Sequence, residues 1–325
     1  MINLKKLNLR RFLFIKIFVF LLLCGAVHKG VSQQLPIFSL YRDNGFVLNP
    51  SLAGSKKSAY ITATGRKQWT NIDKAPHTES LSFDAPFQEK DIGLGGFVMN
   101  DQTGPTSFTT AYVSYAYHLE FKKVDPFQFS DFLRYSTLSV GISASLSQYR
   151  LRADELVLEE PNDRAIVDSR SSTFLPNAGL GIHYRYRNYS LGFSVPRIVE
   201  LTSRFQEKGR TTTLQKVNHY YTTIGATYSF IRTWEVEPLI WFRAVPNAPL
   251  QADMNVRVTW EDILWAGIGY RTTRIGFADV GVILKNHWHL GYAIDFPLSP
   301  EYPKLGTSHE IVLRYRFPKS DESSR

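Results

Sequence analysis

The residues of this chain that could do chemistry are few and scattered. Beyond residue 32 the histidines are His77, His118, His183, His219, His287, His289 and His309. His287 and His289 flank Trp288, and alternate strand residues share a face, so two imidazoles could meet a metal there. Next to Asn286 and a turn, the pair reads instead as an interfacial anchor, and no metal site is assigned. Asp154, Glu155, Glu159, Glu160, Asp163 and Asp168 crowd one stretch, interleaved with Arg152, Arg164 and Arg170. They lack the ligand spacing of an EF-hand, so a solvated external loop is expected. The stretch 196–217 is basic, with Arg197, Arg204, Lys208, Arg210 and Lys216, and could face that acidic loop or an anionic glycolipid. No HExxH, P-loop or GxSxG pattern occurs. The run GLGGF from Gly93 precedes no helix and so cannot cradle a phosphate. Catalytic triads are recognised by geometry, which the sequence alone does not supply. No catalytic residue, cofactor or metal follows, and an enzyme is not expected.

The first 32 residues concern targeting. Lys5, Lys6, Arg10 and Arg11 precede an apolar run from Phe12 to Val27 broken only by Lys16. This is the layout of a secretory signal peptide with cleavage expected near Ser32. The uninterrupted apolar part, Ile17 to Val27, is short of the roughly 20 residues of a spanning helix. The single cysteine, Cys24, lies in this segment behind Leu23, which is too large for a lipidation site. The segment holds six basic residues and no acid, so the net charge of +9 falls to +3 without it. The high pI therefore reflects targeting, and nucleic acid is not an expected partner.

The elements after residue 32 show a period of two. Short alternating runs, separated by turn residues, predict strands near 59–69, 78–86, 92–100, 108–119, 137–149, 177–187, 189–195, 218–230, 234–243, 251–260, 263–271, 276–285, 288–296 and 308–317. In the last, Ile311, Leu313, Tyr315 and Phe317 oppose Arg314 and Arg316. In 251–260, Met254, Val256, Val258 and Trp260 oppose Asn255, Arg257 and Thr259. A soluble core would not bury so many charges without partners. The aromatic faces, in turn, are too large to leave in water. Lipid outside and a wet or networked lumen inside satisfy both. The expected fold is all-β, a transmembrane outer-membrane antiparallel β-barrel of about fourteen strands spanning 59–317, with a polar tail at 318–325.

With a periplasmic N-terminus, the even connections 87–91, 188, 231–233, 261–262 and 286–287 are short, as periplasmic turns should be. The exception is 120–136. The odd connections, 70–77, 101–107, 150–176, 196–217, 244–250, 272–275 and 297–307, then face outward.

Three stretches go beyond barrel grammar: FSLYRDNGFVLNPSLAGS from Phe38, RKQWTNIDKAPHTESLSFDAP from Arg66, and GLGGFVMNDQTGPTS from Gly93. In order and spacing they resemble the PorP/SprF family of type IX secretion system membrane proteins from Bacteroidetes. The matching residues are Phe38, Ser39 and Tyr41; Leu48, Asn49, Pro50, Ala53 and Gly54; Arg66, Gln68 and Trp69; Ala75, Pro76 and Thr78; and Asn100, Asp101, Gly104, Pro105 and Thr106. RDNGFV after Tyr41 and Ile72-Asp73-Lys74 before Ala75 depart from the family pattern. The resemblance implies a barrel that assists export of cargo proteins linked to gliding motility or to one class of C-terminal signal. It also implies contact with periplasmic or outer-membrane secretion components. A porin or small-solute uptake channel of the same fold is the alternative.

Each motif residue also suits a structural role. Asn49-Pro50 and Gly54 fit a turn before the first strand, and Asn100-Asp101 with Gly104-Pro105 fit a loop turn. Trp69 fits an aromatic girdle. The candidate partner-binding residues are Phe38, Tyr41, Asn49, Pro50, Gly54, Trp69, Pro76, Asn100, Asp101, Gly104 and Pro105. Segment 33–58 is expected as a periplasmic N-terminal element that plugs the lumen or docks a partner.

Overall fold

The structure is a computed structural model. It describes residues 38–56, 58–87, 90–121, 136–152, 170–199, 202–207, 210–215, 218–230, 233–246, 248–285, 287–299 and 303–318. The signal segment, most of the 120–136 and 150–176 connections and the tail beyond residue 318 lie outside the described residues.

Alternation becomes wall. The strands are β1 (Tyr60–Lys67), β2 (His77–Phe87), β3 (Ile92–Thr103), β4 (Thr106–Phe121), β5 (Ser136–Arg152), β6 (Arg170–Tyr186) and β7 (Tyr189–Val195). After a small separate hairpin of β8 (Thr202–Glu207) and β9 (Arg210–Gln215) come β10 (Tyr220–Ala226), β11 (Tyr228–Phe230), β12 (Trp234–Ala244) and β13 (Gln251–Trp260). The last four are β14 (Leu264–Arg271), β15 (Ile275–Leu284), β16 (Trp288–Pro297) and β17 (Ser308–Arg316). Neighbours pair antiparallel, β1 pairs with β17, and β10 pairs with both β7 and β12, so the sheet closes. β10 and β11 are two pieces of one stave, which makes fourteen in all. Closure removes the edges an open sheet would present to lipid, except beside the far half of β6, whose ladder to β7 covers only Leu180–Tyr186.

The faces are inverted relative to a soluble protein. Outward residues are apolar: Ile268 is 71% exposed, and Val113, Ile142, Leu81 and Ile311 stand out on other strands. Inward residues are polar: Thr62, Asp84, Asp253, Asp279, Glu310 and Arg314 are buried. Burying carboxylates while exposing isoleucines is stable only with lipid outside.

Besides the β8–β9 hairpin, which falls in the expected 196–217 connection, two features differ from the sequence expectation. The stave expected at 218–230 breaks at Thr227, whose amide donates to Asn188 O at 2.8 Å. The break lies across from Pro238, between the Gly225–Leu239 and Tyr228–Val236 rungs. Pro238 has no amide to offer, so a ladder rung there would be missing in any case. Secondly, β3 to β6 run several residues past their expected ends. Those extensions (Asp101-Gln102-Thr103 in β3, Arg150-Leu151-Arg152 in β5) carry few apolar residues, and the lipid-side signal fades there.

Candidate functional site

The lumen is occupied. β1 begins and β17 ends at one rim, the near rim; the connections 68–76, 104–105 and 272–274, with residues 298–299 and 303–307, lie at the far rim. From Ser58 at the near rim, the preceding chain runs back into the barrel as far as Phe38. Phe38, Ser39, Leu40, Tyr41, Asp43, Phe46, Asn49, Pro50, Ser51 and Ala53 are all buried. Their partners lie on strands all round the wall.

The far half of the lumen holds an ion-pair chain. Arg243 (β12) bonds Asp253 (β13) at 2.6 Å, and Asp253 bonds Arg271 (β14) at 2.9 Å. Arg271 reaches Asp295 (β16) at 2.6 Å, and Asp295 is also paired with Arg66 (β1). Arg66 in turn bonds Glu310 (β17) at 3.1 Å. Three guanidiniums meet three carboxylates, so these buried charges compensate one another. Ser39 sits at the centre. Its hydroxyl donates to Asp295 Oδ1 at 2.6 Å and accepts from Arg271 Nη2 at 2.7 Å and Arg66 Nη1 at 3.0 Å. The amides of Ser39 and Leu40 donate to Glu310 Oε2 and Oε1 at 2.7 and 3.1 Å.

A second charged group holds the next turn. Asp43 faces Arg257 at 3.3 Å, and Arg257 also bonds Asp279 at 3.1 Å. Burial acts to raise the Asp43 carboxyl, but Arg257 and Arg314 outweigh it and hold the group below its usual range. Arg42 Nε donates to Asn255 Oδ1 at 2.9 Å, and Arg42 Nη2 to Glu237 O at 2.7 Å. Lys56 Nζ donates to Asp43 O at 3.1 Å; burial, with Arg314 close by, lowers its pKa to about 7.

Shape completes the fit. Tyr41 packs on Trp241 at a centroid distance of 5.1 Å, and Phe46 on Phe97, which stacks with Tyr112 at 4.5 Å. Pro50–Leu52 forms a 3-10 turn capped by Asn49, whose side chain accepts from Ser51 N at 3.1 Å. Asn49 Nδ2 donates to Ile182 O at 3.2 Å. His118 Nε2 donates to Ala53 O at 2.9 Å. The turn lies so close to the wall that a Cβ at Gly141 would collide with the backbone of Pro50 and Ser51. Gly54, at φ +61°, has no room for a side chain against Ala85 O and Gly93.

The candidate residues thus fall into two places rather than one patch. Phe38, Tyr41, Asn49, Pro50 and Gly54 lie in the lumen. Trp69, Pro76, Asn100, Asp101, Gly104 and Pro105 lie at the far rim, tied into adjoining turns. Trp69 N donates to Ser308 Oγ at 3.2 Å, and Pro76 O accepts from Gln68 N at 2.9 Å. Asp101 accepts from Thr78 at 2.6 Å and Asn100 from Thr109 at 3.1 Å. Gly104, at φ +54°, donates to Lys74 O at 3.0 Å, and Pro105 O accepts from Arg152 N at 2.9 Å. The residues that reading by motif missed are Glu310, Asp253, Arg271 and Arg243. Their signal was a charged side chain at an inward position of an alternating strand.

The family model for the type IX secretion system membrane protein PorP/SprF matches residues 30–315. No curated protein sequence matches the chain. Among solved structures, the Ralstonia pickettii toluene transporter TbuX aligns at 10% identity over 83% of this chain and 92% of that one, with a TM-score of 0.47. The Pseudomonas putida toluene transporter TodX aligns at 11% identity over 84% and 93%, with a TM-score of 0.44. The CymD monoaromatic hydrocarbon channel aligns at 9% identity over 88% and 94%, with a TM-score of 0.44. Likeness of this degree carries nothing about function.

Proposed function

Because the chain belongs to the PorP/SprF family of type IX secretion system membrane proteins, we propose that this outer-membrane barrel is an accessory of protein export. In this reading it binds particular cargo proteins, of the gliding-adhesin or C-terminal-signal class, together with periplasmic secretion components. The chain reaches the membrane after loss of its signal segment, and the reading assigns it no reaction. One observation supports accessory over porin: segment 38–56 lies inside the lumen and is bonded to both halves of the wall. A general porin needs a water-filled path. In this proposal the segment is a plug, and the far-rim residues from Trp69 to Pro105 form a rigid lip on which a partner docks.

The test is an affinity pull-down from native outer membranes in mild detergent, read by mass spectrometry. Enrichment of an exported surface protein or of secretion components, reduced when the rim residues Trp69 and Asp101 are replaced by alanine, supports the reading. Reproducible recovery of the barrel alone, with steady ion conductance in a planar bilayer, overturns it in favour of a channel.

A further inference from the structure

Among the described residues the wall is interrupted as a hydrogen-bonded sheet in its far half, between β6, β7 and β10. The β7–β10 ladder stops at the Ser194–Tyr221 rung. Pro196 follows and has no amide to extend it. The chain turns towards β6 instead: Ile198 N donates to Ala178 O at 2.8 Å, and Asn177 Oδ1 accepts from the amides of Ile198 and Val199 at 3.0 and 3.1 Å. Pro196 is buried and Arg197 half-buried, while Ile198 and Val199 are exposed outside.

Behind this seam lies a small cavity that is partly open to solvent. It has room for the centres of a few waters, about 50 Å³. The body of the cavity is apolar, between Phe38 and Leu48 of the inner segment and Phe97, Met99 and Tyr112 of the wall. Arg197 and Ser145 also line it. Thr110, another lining residue, is engaged with Ser147 at 2.8 Å. Arg197 has no ion pair among the described residues. Tyr221, which also lines the cavity, and Asp101 act on it only through space, and Asp101 is itself bonded to Thr78. Burial works against the guanidinium charge. A guanidinium without an ion pair among the described residues, beside an apolar cavity, favours a carboxylate, which it can bind through two parallel hydrogen bonds.

We propose that this cavity is a binding site for a short apolar carboxylate, the acid group on Arg197 and the body between Phe38, Leu48, Phe97 and Met99. The enclosed space limits the body to a short aliphatic chain or one apolar side chain. A free short-chain acid and the C-terminal residue of a peptide share this chemistry. The inference stands independently of the secretory reading.

The test is isothermal titration of the full chain in lipid nanodiscs. Hexanoate is compared with hexan-1-ol and hexylammonium, and acetyl-Gly-Gly-Leu with its C-terminal amide. At least one acid should bind on the order of tenfold more tightly than its uncharged match. Arg197→Gln should remove that advantage, Arg197→Lys should keep part of it, and Ser145→Leu should block binding by filling the space. Heat-modifiable gel migration checks that each variant retains its barrel. Binding of hexanoate alone identifies a free acid, and binding of the peptide acid alone identifies a chain terminus. Binding of both supports the shared chemistry. Equal binding of acids and uncharged matches, no binding of either acid, or full affinity in both Arg197 variants overturns the proposal.

Discussion

Glu310 on the last strand receives the backbone amide of Ser39 at 2.7 Å, across 271 positions of sequence. This bond joins the first described turn of the chain to the strand that closes the barrel. Together with the Leu40 amide it satisfies both oxygens of a carboxylate that also serves Arg66. The inner segment is therefore part of the charge balance of the wall.

Ser39→Ala removes three hydrogen bonds to charged side chains, at a cost of about 2–4 kcal/mol to the seating of the segment. Amide exchange at Ser39 and Leu40 should accelerate while the strand amides stay protected. Unchanged protection at those two amides would show that the hydroxyl is not what holds the segment.

Arg271→Met leaves Asp253 and Asp295 buried with fewer cations, and Asp253 loses one of its two. A broken buried pair of this kind costs about 3–5 kcal/mol. Urea unfolding in lipid vesicles should move to lower midpoints, and adding Asp295→Asn should recover part of the loss. Failure of the second change to restore anything would argue that Arg271 acts through packing on Phe277, over which it lies at 4.8 Å.

Gly141→Leu places a side chain where the backbone of Pro50 and Ser51 now lies. The 3-10 turn should leave the wall, and protease should cut between residues 38 and 58. The barrel itself should still show heat-modifiable migration, because the side chain enters the lumen without breaking a ladder rung. Resistance to protease equal to that of the unaltered chain would contradict this placement.

Lys56 gives a pH dependence with a defined sign. Its pKa is about 7 in the folded protein, set by burial and then by Arg314, against roughly 10.4 in an unfolded chain. Between those values the unfolded chain keeps a proton that the folded one has released. The stability linked to Lys56 therefore rises with pH through that window and is lost as pH falls towards 7. Lys56→Met should unfold at higher urea than the unaltered chain at pH 7, with the difference shrinking towards pH 10. A difference that does not vary with pH would rule out this titration as its source.

Much of the wall was legible because lipid and lumen impose a period of two. Ile311 and Leu313 point outward, and Glu310 and Arg314 point inward, as their alternation requires. The rim turn at Gly104-Pro105 was legible because Gly104 carries turn chemistry, but Asn100 and Asp101, expected in that turn, lie within β3 and pair with β4. The β8–β9 hairpin was not, since nothing in 196–217 alternates strongly enough. The split at Thr227 was hidden because the cue, Pro238, lies on a different strand.

By itself the sequence determined a closed antiparallel barrel, the parity of its side chains and its family, since each is written in local spacing or in short ordered motifs. Only the tertiary structure decided where segment 38–58 lies and which charges it meets. Asp43 and Arg257 are 214 positions apart, and Ser39 and Asp295 are 256 apart. Such pairings come from closure of the sheet, which brings strands from both ends of the chain to one lumen, and no local period encodes them.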